Sequence, residues 1–332
     1  MHVDGPYSMP LNTRELTEDA DRVLILRNPK AGAGPSRQLL DGVVASLEQR
    51  GLAVDLYSDL DQLSEQAEKL AETGLLRTVL AAGGDGTAEI VVNRIPANIP
   101  LSVFPLGTEN LLAKYLGISA EPEQVAEMVA AGRVAQLDLG AFTTGDSTRL
   151  FLLMLGCGFD AEVVRRLHQE RTGHINHWSW IKPIIDAVRN YEYPPLRVTC
   201  RDTRDGPVVA DITAHWVFVF NTPSYAIGLG ICPGANPYDG RLDVTTFEGG
   251  SFWHGIFHLS SIFVGQHQSL AGVQTVKSRC LRIEAEEGVP FQVDGDPGGL
   301  LPVDIEVLPG RLTMIVPRHW IEDCESGQQD VS

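Results

Sequence analysis

Thr78-Val-Leu-Ala-Ala82, then Gly83-Gly-Asp-Gly-Thr87, then Ala88-Glu-Ile-Val-Val92 is the stretch on which the fold turns. It reads as a buried strand, a glycine turn and a short helix. A brief apolar run stopped by glycine suits a strand covered on both faces, and consecutive glycines permit positive φ and close backbone approach. The turn feeds a helix N-terminus, whose open N–H groups attract phosphate. Asp85 inside such a turn is a poor direct neighbour for phosphate, so it points to Mg²⁺, or to a bridge through metal and water.

The same strand-turn-helix unit repeats on either side. Val23–Arg27 reads as a strand before the turn-rich 28–35. Ser36–Arg50 places Leu39, Leu40, Val43, Val44 and Leu47 on one helical face and stops at Gly51. Ala53–Tyr57 reads as a strand, Asp61–Glu72 as a helix, Leu101–Pro105 as a strand and Leu111 as the start of a further helix. Repeated β-turn-α units imply a doubly wound parallel sheet with helices on both faces. Beyond Gly132 the period changes to two, in Leu196–Cys200, Ile212–Phe220, Leu242–Thr246, Val303–Val307 and Leu312–Val316. Helical stretches interrupt this pattern around Trp178–Arg189 and Phe252–Phe263. The expectation is α/β plus all-β: a nucleotide domain over 22–136, with 317–332 as its candidate completion, and an antiparallel β-sandwich substrate domain over 137–316, with a cleft between them.

The chain has 332 residues, with 26 basic and 43 acidic side chains for a formal charge of −17. At 43% hydrophobic it is not a disordered chain, and no apolar run is long enough to span a membrane. The acidic balance argues against a protein built to hold nucleic acid. The five cysteines, at 157, 200, 232, 280 and 324, are scattered and form no CxxC pair. That pattern suits a reducing compartment. Residues 1–21 contain no apolar segment of the secretory kind, so a cytoplasmic location is expected.

Three glycine turns fall at the carboxyl ends of the expected parallel strands: Asn28-Pro-Lys-Ala-Gly32, Gly83-Gly-Asp-Gly-Thr87 and Pro105-Leu-Gly-Thr-Glu-Asn110. Open α/β sheets bind their ligands there. Lys30 offers a point charge to a phosphate, and Thr87, Thr108 and Asn110 offer neutral hydrogen bonds. One such turn alone is better read as a tight connection; three in one topological register point to a nucleotide. The chain contains no GxxxxGK[ST], and no GxGxxG follows the first strand, which disfavours a P-loop and an ordinary NAD site.

These turns, in this order, resemble the bacterial lipid kinases of the diacylglycerol kinase/sphingosine kinase-like family. The resemblance continues through Gly156-Cys-Gly-Phe-Asp-Ala161, Asp239-Gly-Arg-Leu-Asp-Val244 and Val293-Asp-Gly-Asp296, and spans roughly 22–317. It implies an ATP- and Mg²⁺-dependent kinase that phosphorylates a hydroxyl of a diacylglycerol- or sphingoid-like lipid. By motif position Asp294 is the general base. Gly83, Gly84, Asp85, Gly86 and Thr87 hold phosphate, while Asn28, Lys30, Gly32, Gly107, Thr108 and Asn110 complete the nucleotide site. Asp85, Asp160 and Asp296 are implied in the metal network, and Asp239 with the Leu242 carbonyl in a second, structural Mg²⁺ loop. The chain departs from the family pattern at Ala31, Glu89, Ile90, Leu111 and Asp296.

Arg165, Arg166, Arg171, Trp178 and Trp180 fall in a locally basic, aromatic segment that reads either as a membrane-contact edge or as a solvated helix and loop. The first reading gives an enzyme peripheral to the inner membrane face. His254 and His258, four apart, read as a half-buried helix face rather than a metal pair, and Cys157 as a core residue. Two further functions stay open: a kinase of a soluble metabolite, as the GGDGT shared with NAD kinases allows, and a non-catalytic nucleotide- or lipid-binding homologue. A homo-oligomer is compatible with all of them.

Overall fold

The computed structural model describes residues 10–27, 35–169, 191–225, 229–263, 265–286 and 288–326. The chain divides into two compact units, Met1–Asp138 with Pro309–Asp330, and Leu139–Leu308 with Val331–Ser332. In chain order come β1 (Thr13–Glu15), β2 (Arg22–Arg27), α1 (Pro35–Gln49), β3 (Ala53–Tyr57), α2 (Leu60–Glu72), β4 (Leu76–Gly83), α3 (Asp85–Val92), β5 (Leu101–Pro105), α4 (Leu111–Tyr115) and α5 (Pro122–Ala131). There follow β6 (Arg133–Thr144), β7 (Ser147–Phe151), β8 (Met154–Gly158), α6 (Phe159–Gln169), β9 (Leu196–Arg201), β10 (Val208–Ala214), β11 (Trp216–Phe220), β12 (Leu242–Phe247) and α7 (Phe252–Phe263). The chain ends with β13 (Val273–Ser278), β14 (Cys280–Glu284), β15 (Pro290–Val293), β16 (Asp296–Leu300), β17 (Val303–Ile315) and α8 (Arg318–Ser326).

In the first unit β3, β2, β4 and β5 are parallel neighbours, and the end of β17 joins β5 in parallel through Met314 and Leu101. β4 is buried at every position, as a strand covered on both faces must be. α1 buries Leu40, Val43 and Leu47, the stripe its spacing predicts. From β2 the chain steps to β3 on one side, then returns through α2 to β4 on the other. Strand order therefore reverses between β2 and β4, and a sheet with this reversal takes ligands beyond the carboxyl ends of those strands. The carboxyl end of β4 is the Gly83–Thr87 turn.

Arg77 shows how this unit is tied. It is buried at 5% exposure, and its guanidinium donates to the carbonyls of Val129 (3.0 Å), Ala130 and Thr17 (3.0 Å). Two of those carbonyls lie in the last turn of α5, where helix C=O groups lack intrahelical partners and a cation is favourable.

The second unit is a sandwich. One sheet runs β13-β12-β11-β8-β15-β16, all antiparallel. The other is built from β10, β9, β14 and the start of β17, with β6 and β7 also in that sheet. Alternate residues face inward to form its core: Leu155 and Cys157, Val217 and Val219, and Leu242 and Val244 from one sheet; Val198 and Cys200, Leu281 and Ile283 from the other.

Two expected elements change. Ile212–Phe220, read as one strand, breaks at His215, and its halves enter different sheets. Asp211 and Thr213 are exposed while Ile212 and Ala214 are buried, a one-sided strand; Trp216–Phe220 is then buried at every position, a central one. The His215 N–H donates to the Phe247 carbonyl at 2.9 Å, which marks the transfer. Conversely, Val303–Val307 and Leu312–Val316 form one continuous strand. Pro309 has no N–H to give the ladder, yet Gly310, at φ 59°, donates its N–H to Asp138 Oδ1 at 2.8 Å and carries the strand through the bend. That strand passes from the second unit to the first at Pro309, and the helical stretch expected around Trp178–Arg189 lies outside the described residues.

Candidate functional site

The turn after β4 is constrained atom by atom. A Cβ on Gly83 would lie 2.2 Å from Thr87 Oγ1, and one on Gly107 would lie 2.5 Å from the Gly84 Cα. The turns after β4 and β5 therefore meet backbone to backbone, which only glycine allows. The Leu106 N–H donates to the Gly83 carbonyl at 3.0 Å and adds a second tie. Gly84 precedes α3 in extended conformation (φ −90°, ψ −172°), and no side chain caps that helix. An uncapped N-terminus in a glycine turn is the arrangement that receives an anion.

Asp85 sits half-buried at this junction. Its Oδ2 accepts the Leu111 N–H at 2.8 Å and its Oδ1 accepts the Leu112 N–H at 3.0 Å. It thus caps α4 from a different turn. Burial raises its pKa above the usual carboxylate value, and the two backbone donors oppose that shift. Asn110 holds the left-handed conformation (φ 51°) that asparagine tolerates. Its amide clasps Gly107 from both ends, Oδ1 accepting the N–H and Nδ2 donating to the carbonyl, each at 2.9 Å. Thr108 is exposed beside it and Thr87 is buried below.

In the second unit Asp294 and Gly295 form the two-residue connection between β15 and β16. Both have positive φ, 48° and 90°, as the Asp-Gly of a type I′ hairpin requires. The Asp294 carboxylate accepts three backbone N–H groups: Leu152 at 2.7 Å, Leu153 at 2.9 Å and Met154 at 2.9 Å. The same bend is held from its carbonyl side by Asn221, whose Nδ2 donates to Leu152 O at 2.7 Å and whose N–H donates to Leu153 O at 2.8 Å. Asn221 had no signal in the sequence; its role exists only because β11 ends beside this bend.

Gln292 was also unmarked. At 2% exposure it donates from Nε2 to Asp160 Oδ2 (2.8 Å) and accepts the Gly295 N–H on Oε1 (2.9 Å). The other Asp160 oxygen accepts the Tyr225 hydroxyl. Burial raises the Asp160 pKa, with Tyr225 and Gln292 opposing. Gly156 is obligatory here, since a Cβ would meet Asp160 Oδ2 at 2.2 Å. A chain Tyr225–Asp160–Gln292–Gly295, buried at Asp160 and Gln292, therefore ends next to Asp294.

Two family models match this chain: the diacylglycerol kinase catalytic domain over residues 22–142, and the YegS C-terminal NAD kinase beta sandwich-like domain over 154–316. A diacylglycerol kinase of Mycobacterium tuberculosis (strain CDC 1551 / Oshkosh) is 29% identical over 304 residues, covering 90% of this chain and 96% of that protein. The chain belongs to the diacylglycerol kinase-like family of lipid kinases. A solved diacylglycerol kinase of Bacillus anthracis str. Sterne has the same fold, with a TM-score of 0.62 at 20% identity over 90% of this chain and 98% of that one. An NAD kinase of Archaeoglobus fulgidus, solved in complex with ATP, is also similar in fold, with a TM-score of 0.51 at 15% identity, covering 94% and 99% of the two chains.

For this lipid kinase family member the structure brings the second and third expected turns together, and gathers Asp160 and Asp294 through Gln292. Asn28, Lys30, Gly32, Arg171, Trp178 and Trp180 lie outside the described residues. Arg165 and Arg166 both bond to Glu162, at 2.7 and 2.6 Å, a neighbour just upstream of the basic segment whose carboxylate offsets one of its positive charges. His254 Nδ1 is 2.7 Å from Ser251 Oγ, and His258 Nε2 is 2.7 Å from the Glu248 carbonyl, so each imidazole has its own partner. Cys157 is fully buried and its thiol is pushed well up by burial, which makes it inert. No helix among the described residues is long and apolar enough to cross a membrane.

The carboxylates expected to hold metal are differently employed. Asp85 and Asp160 have protein donors on both oxygens. Asp239 gives one oxygen to the Arg241 N–H (2.9 Å) and the other to Lys277 Nζ (2.6 Å). Leu242 is a fully buried β12 residue in register with Ser278. Asp296 is half-exposed with His168 Nδ1 at 3.8 Å. Among the described residues no three His, Cys, Asp or Glu side chains gather to hold an ion. These residues do not fit a metal cage built by the protein alone.

Proposed function

We propose that this chain transfers the γ-phosphate of ATP to a hydroxyl of a diacylglycerol- or sphingoid-like lipid. The observation that carries this reading is the backbone-to-backbone junction of the Gly83–Thr87 and Pro105–Asn110 turns beside the uncapped N-terminus of α3. Its glycines exclude side chains from that surface, and its open helix terminus suits the triphosphate. Mg²⁺ is assigned to the nucleotide as the counter-ion of its phosphates rather than to a cage in the protein, in keeping with how that ion is held in kinases generally.

Asp294 is assigned the proton. As the lipid oxygen bonds to the γ-phosphorus, its proton passes to the Asp294 carboxylate, the bond from the γ-phosphorus to the β–γ bridging oxygen breaks, and ADP leaves. The three N–H donors of Leu152, Leu153 and Met154 fix the direction of that carboxylate. A proton acceptor at this step contributes about 10²–10⁴ in rate. A lipid acceptor also brings the protein to a membrane surface, with the Arg165–Trp180 edge as the assigned contact.

The test is transfer of labelled γ-phosphate to a panel of lipids in vesicles, run beside water-soluble acceptors. Transfer to lipids alone is expected. Phosphorylation of a soluble acceptor in preference would replace the lipid reading, ATP binding without transfer would replace the kinase reading, and full activity in Asp294→Asn would remove the base.

A further inference from the structure

We infer that Lys277 is a built-in cation occupying the place where the family pattern implies a structural divalent ion, so that the fold of the second unit is independent of metal. The inference concerns this loop alone and does not depend on the identity of the phosphorylated substrate.

The loop Asp239–Leu242 enters β12, and Lys277 comes from β13, the neighbouring strand at the end of the sheet. Register places Asp243 opposite Lys277 and Leu242 opposite Ser278. The Lys277 ammonium lies 2.6 Å from Asp239 Oδ2 and 3.1 Å from Asp243 Oδ2. Both carboxylates are sunk into the protein, at 8% and 5% side-chain exposure, while the lysine side chain is 42% exposed. The ammonium thus closes a buried acidic pair from the solvent side, as a plug does.

The remaining atoms support the same conclusion. Asp239 Oδ1 is committed to the Arg241 N–H, the turn bond that shapes the loop. The Gly240 carbonyl accepts from Arg279 Nε at 3.3 Å, which brings a second cation to the loop. A divalent ion needs about six oxygen ligands at roughly 2.0–2.6 Å. Here it would have to expel an ammonium already hydrogen-bonded to two carboxylates, and it would face a guanidinium as well. Like-charge repulsion in a partly buried site opposes this strongly.

The consequence runs both ways. With Lys277 in place, divalent ions have no purchase on the loop. Without it, two buried carboxylates face each other with no ammonium on their oxygens, and a divalent ion becomes the best available counter-charge. Removing a metal-replacing lysine should therefore create a metal site.

The experiment measures thermal unfolding of the full chain without nucleotide, in EDTA and in millimolar Ca²⁺ or Mg²⁺. It compares the wild type, Lys277→Met, Lys277→Gln and Lys277→Met combined with Asp239→Asn. The expected result is no divalent-dependent shift for the wild type, a lower midpoint for Lys277→Met in EDTA, and recovery of several degrees when Ca²⁺ is added. The double variant should lose that recovery. If Lys277→Met does not fold, Lys277→Gln, one atom shorter but still a hydrogen-bond donor, removes only the charge and should show the same rescue. Equilibrium dialysis of the wild type against Ca²⁺ gives a reading that needs no lysine variant. A stoichiometric ion bound by the wild type and lost in Asp239→Asn would overturn the inference, as would folded lysine variants indifferent to divalent ions.

Discussion

Asp85 reaches from the turn after β4 to the first turn of α4, where its Oδ1 accepts the N–H of Leu112 at 3.0 Å. Its other oxygen takes the N–H of Leu111 at 2.8 Å, so one side chain organises two glycine turns. In Asp85→Asn the single amide oxygen can accept one of these N–H groups, while the NH₂ opposes the other. The expected loss is about 1–2 kcal/mol of stability, as for a removed helix cap. Calorimetric titration with ATP should also show at least a tenfold weaker affinity, because the turns separate. Wild-type affinity in a destabilised Asp85→Asn protein would mean that this junction is not where the nucleotide binds.

Gly107→Ala tests the same junction from the other turn. The added Cβ would fall 2.5 Å from the Gly84 Cα and 2.8 Å from Asn110 Oδ1, and a backbone atom cannot swing aside. Overpacking of this kind costs about 1–3 kcal/mol. We expect a matching fall in the denaturant midpoint and loss of ATP-dependent turnover. Gly230→Ala, whose Cβ would meet nothing within 4 Å, is the neutral control. Equal behaviour of the two variants would contradict the close approach.

Gln292→Leu addresses the second unit. It leaves the Gly295 N–H and one Asp160 oxygen without the partners that Gln292 supplies at 2.9 and 2.8 Å. The Asp160 oxygen is buried, and leaving it without a partner costs about 1–3 kcal/mol. Because the chain of bonds ends beside Asp294 and the glycine turns belong to the other unit, the expected signature is a lowered kcat with an unchanged KM for ATP. Gln292→Glu should fare worse, since it sets a second carboxylate against Asp160. A KM effect without a kcat effect would disprove the positioning role.

The parallel half of the fold was legible because each of its elements has its own period and its own stop. Ala53–Tyr57, Leu101–Pro105 and the end of α3 at Val92 stand where the pattern put them. In the sandwich, alternation marks strands without saying which sheet receives them, so Ala214 and Trp216 looked continuous although they belong to different sheets. Val303–Val307 and Leu312–Val316 read as separate segments because the N–H that compensates for Pro309, on Gly310, finds Asp138, a partner 172 residues away. The site shows the same division. Motif residues could be named from spacing, but Asn221, Gln292 and Lys277 act through partners at sequence separations of 69, 132 and 38 residues, which no local pattern reports. The acidic motif residues were visible; what already neutralises them was not.

His258 gives the pH dependence. It is 3% exposed, its Nε2 meets the Glu248 carbonyl at 2.7 Å, and the rings of Trp216, Phe247, Phe257 and His254 surround it. Burial lowers its pKa below 6.5, His254 lowers it further, and the bond to Glu248 opposes both. His215 is shifted the same way, mainly by burial. As pH falls below 6.5 the unfolded chain takes up these protons first, so stability decreases, by at most about 1.4 kcal/mol per pH unit for each histidine. Asp243, raised to about 6 by burial against the pull of Lys277, acts in the opposite sense between its unfolded value and about pH 6. The informative quantity is therefore the difference between wild type and His258→Gln, in which the Asp243 contribution cancels. Glutamine can still donate to the Glu248 carbonyl but binds no proton. Urea denaturation from pH 7 to pH 5 should show the wild type losing more stability than the variant, and parallel curves would mean that His258 is protonated as readily in the folded protein as in the unfolded one.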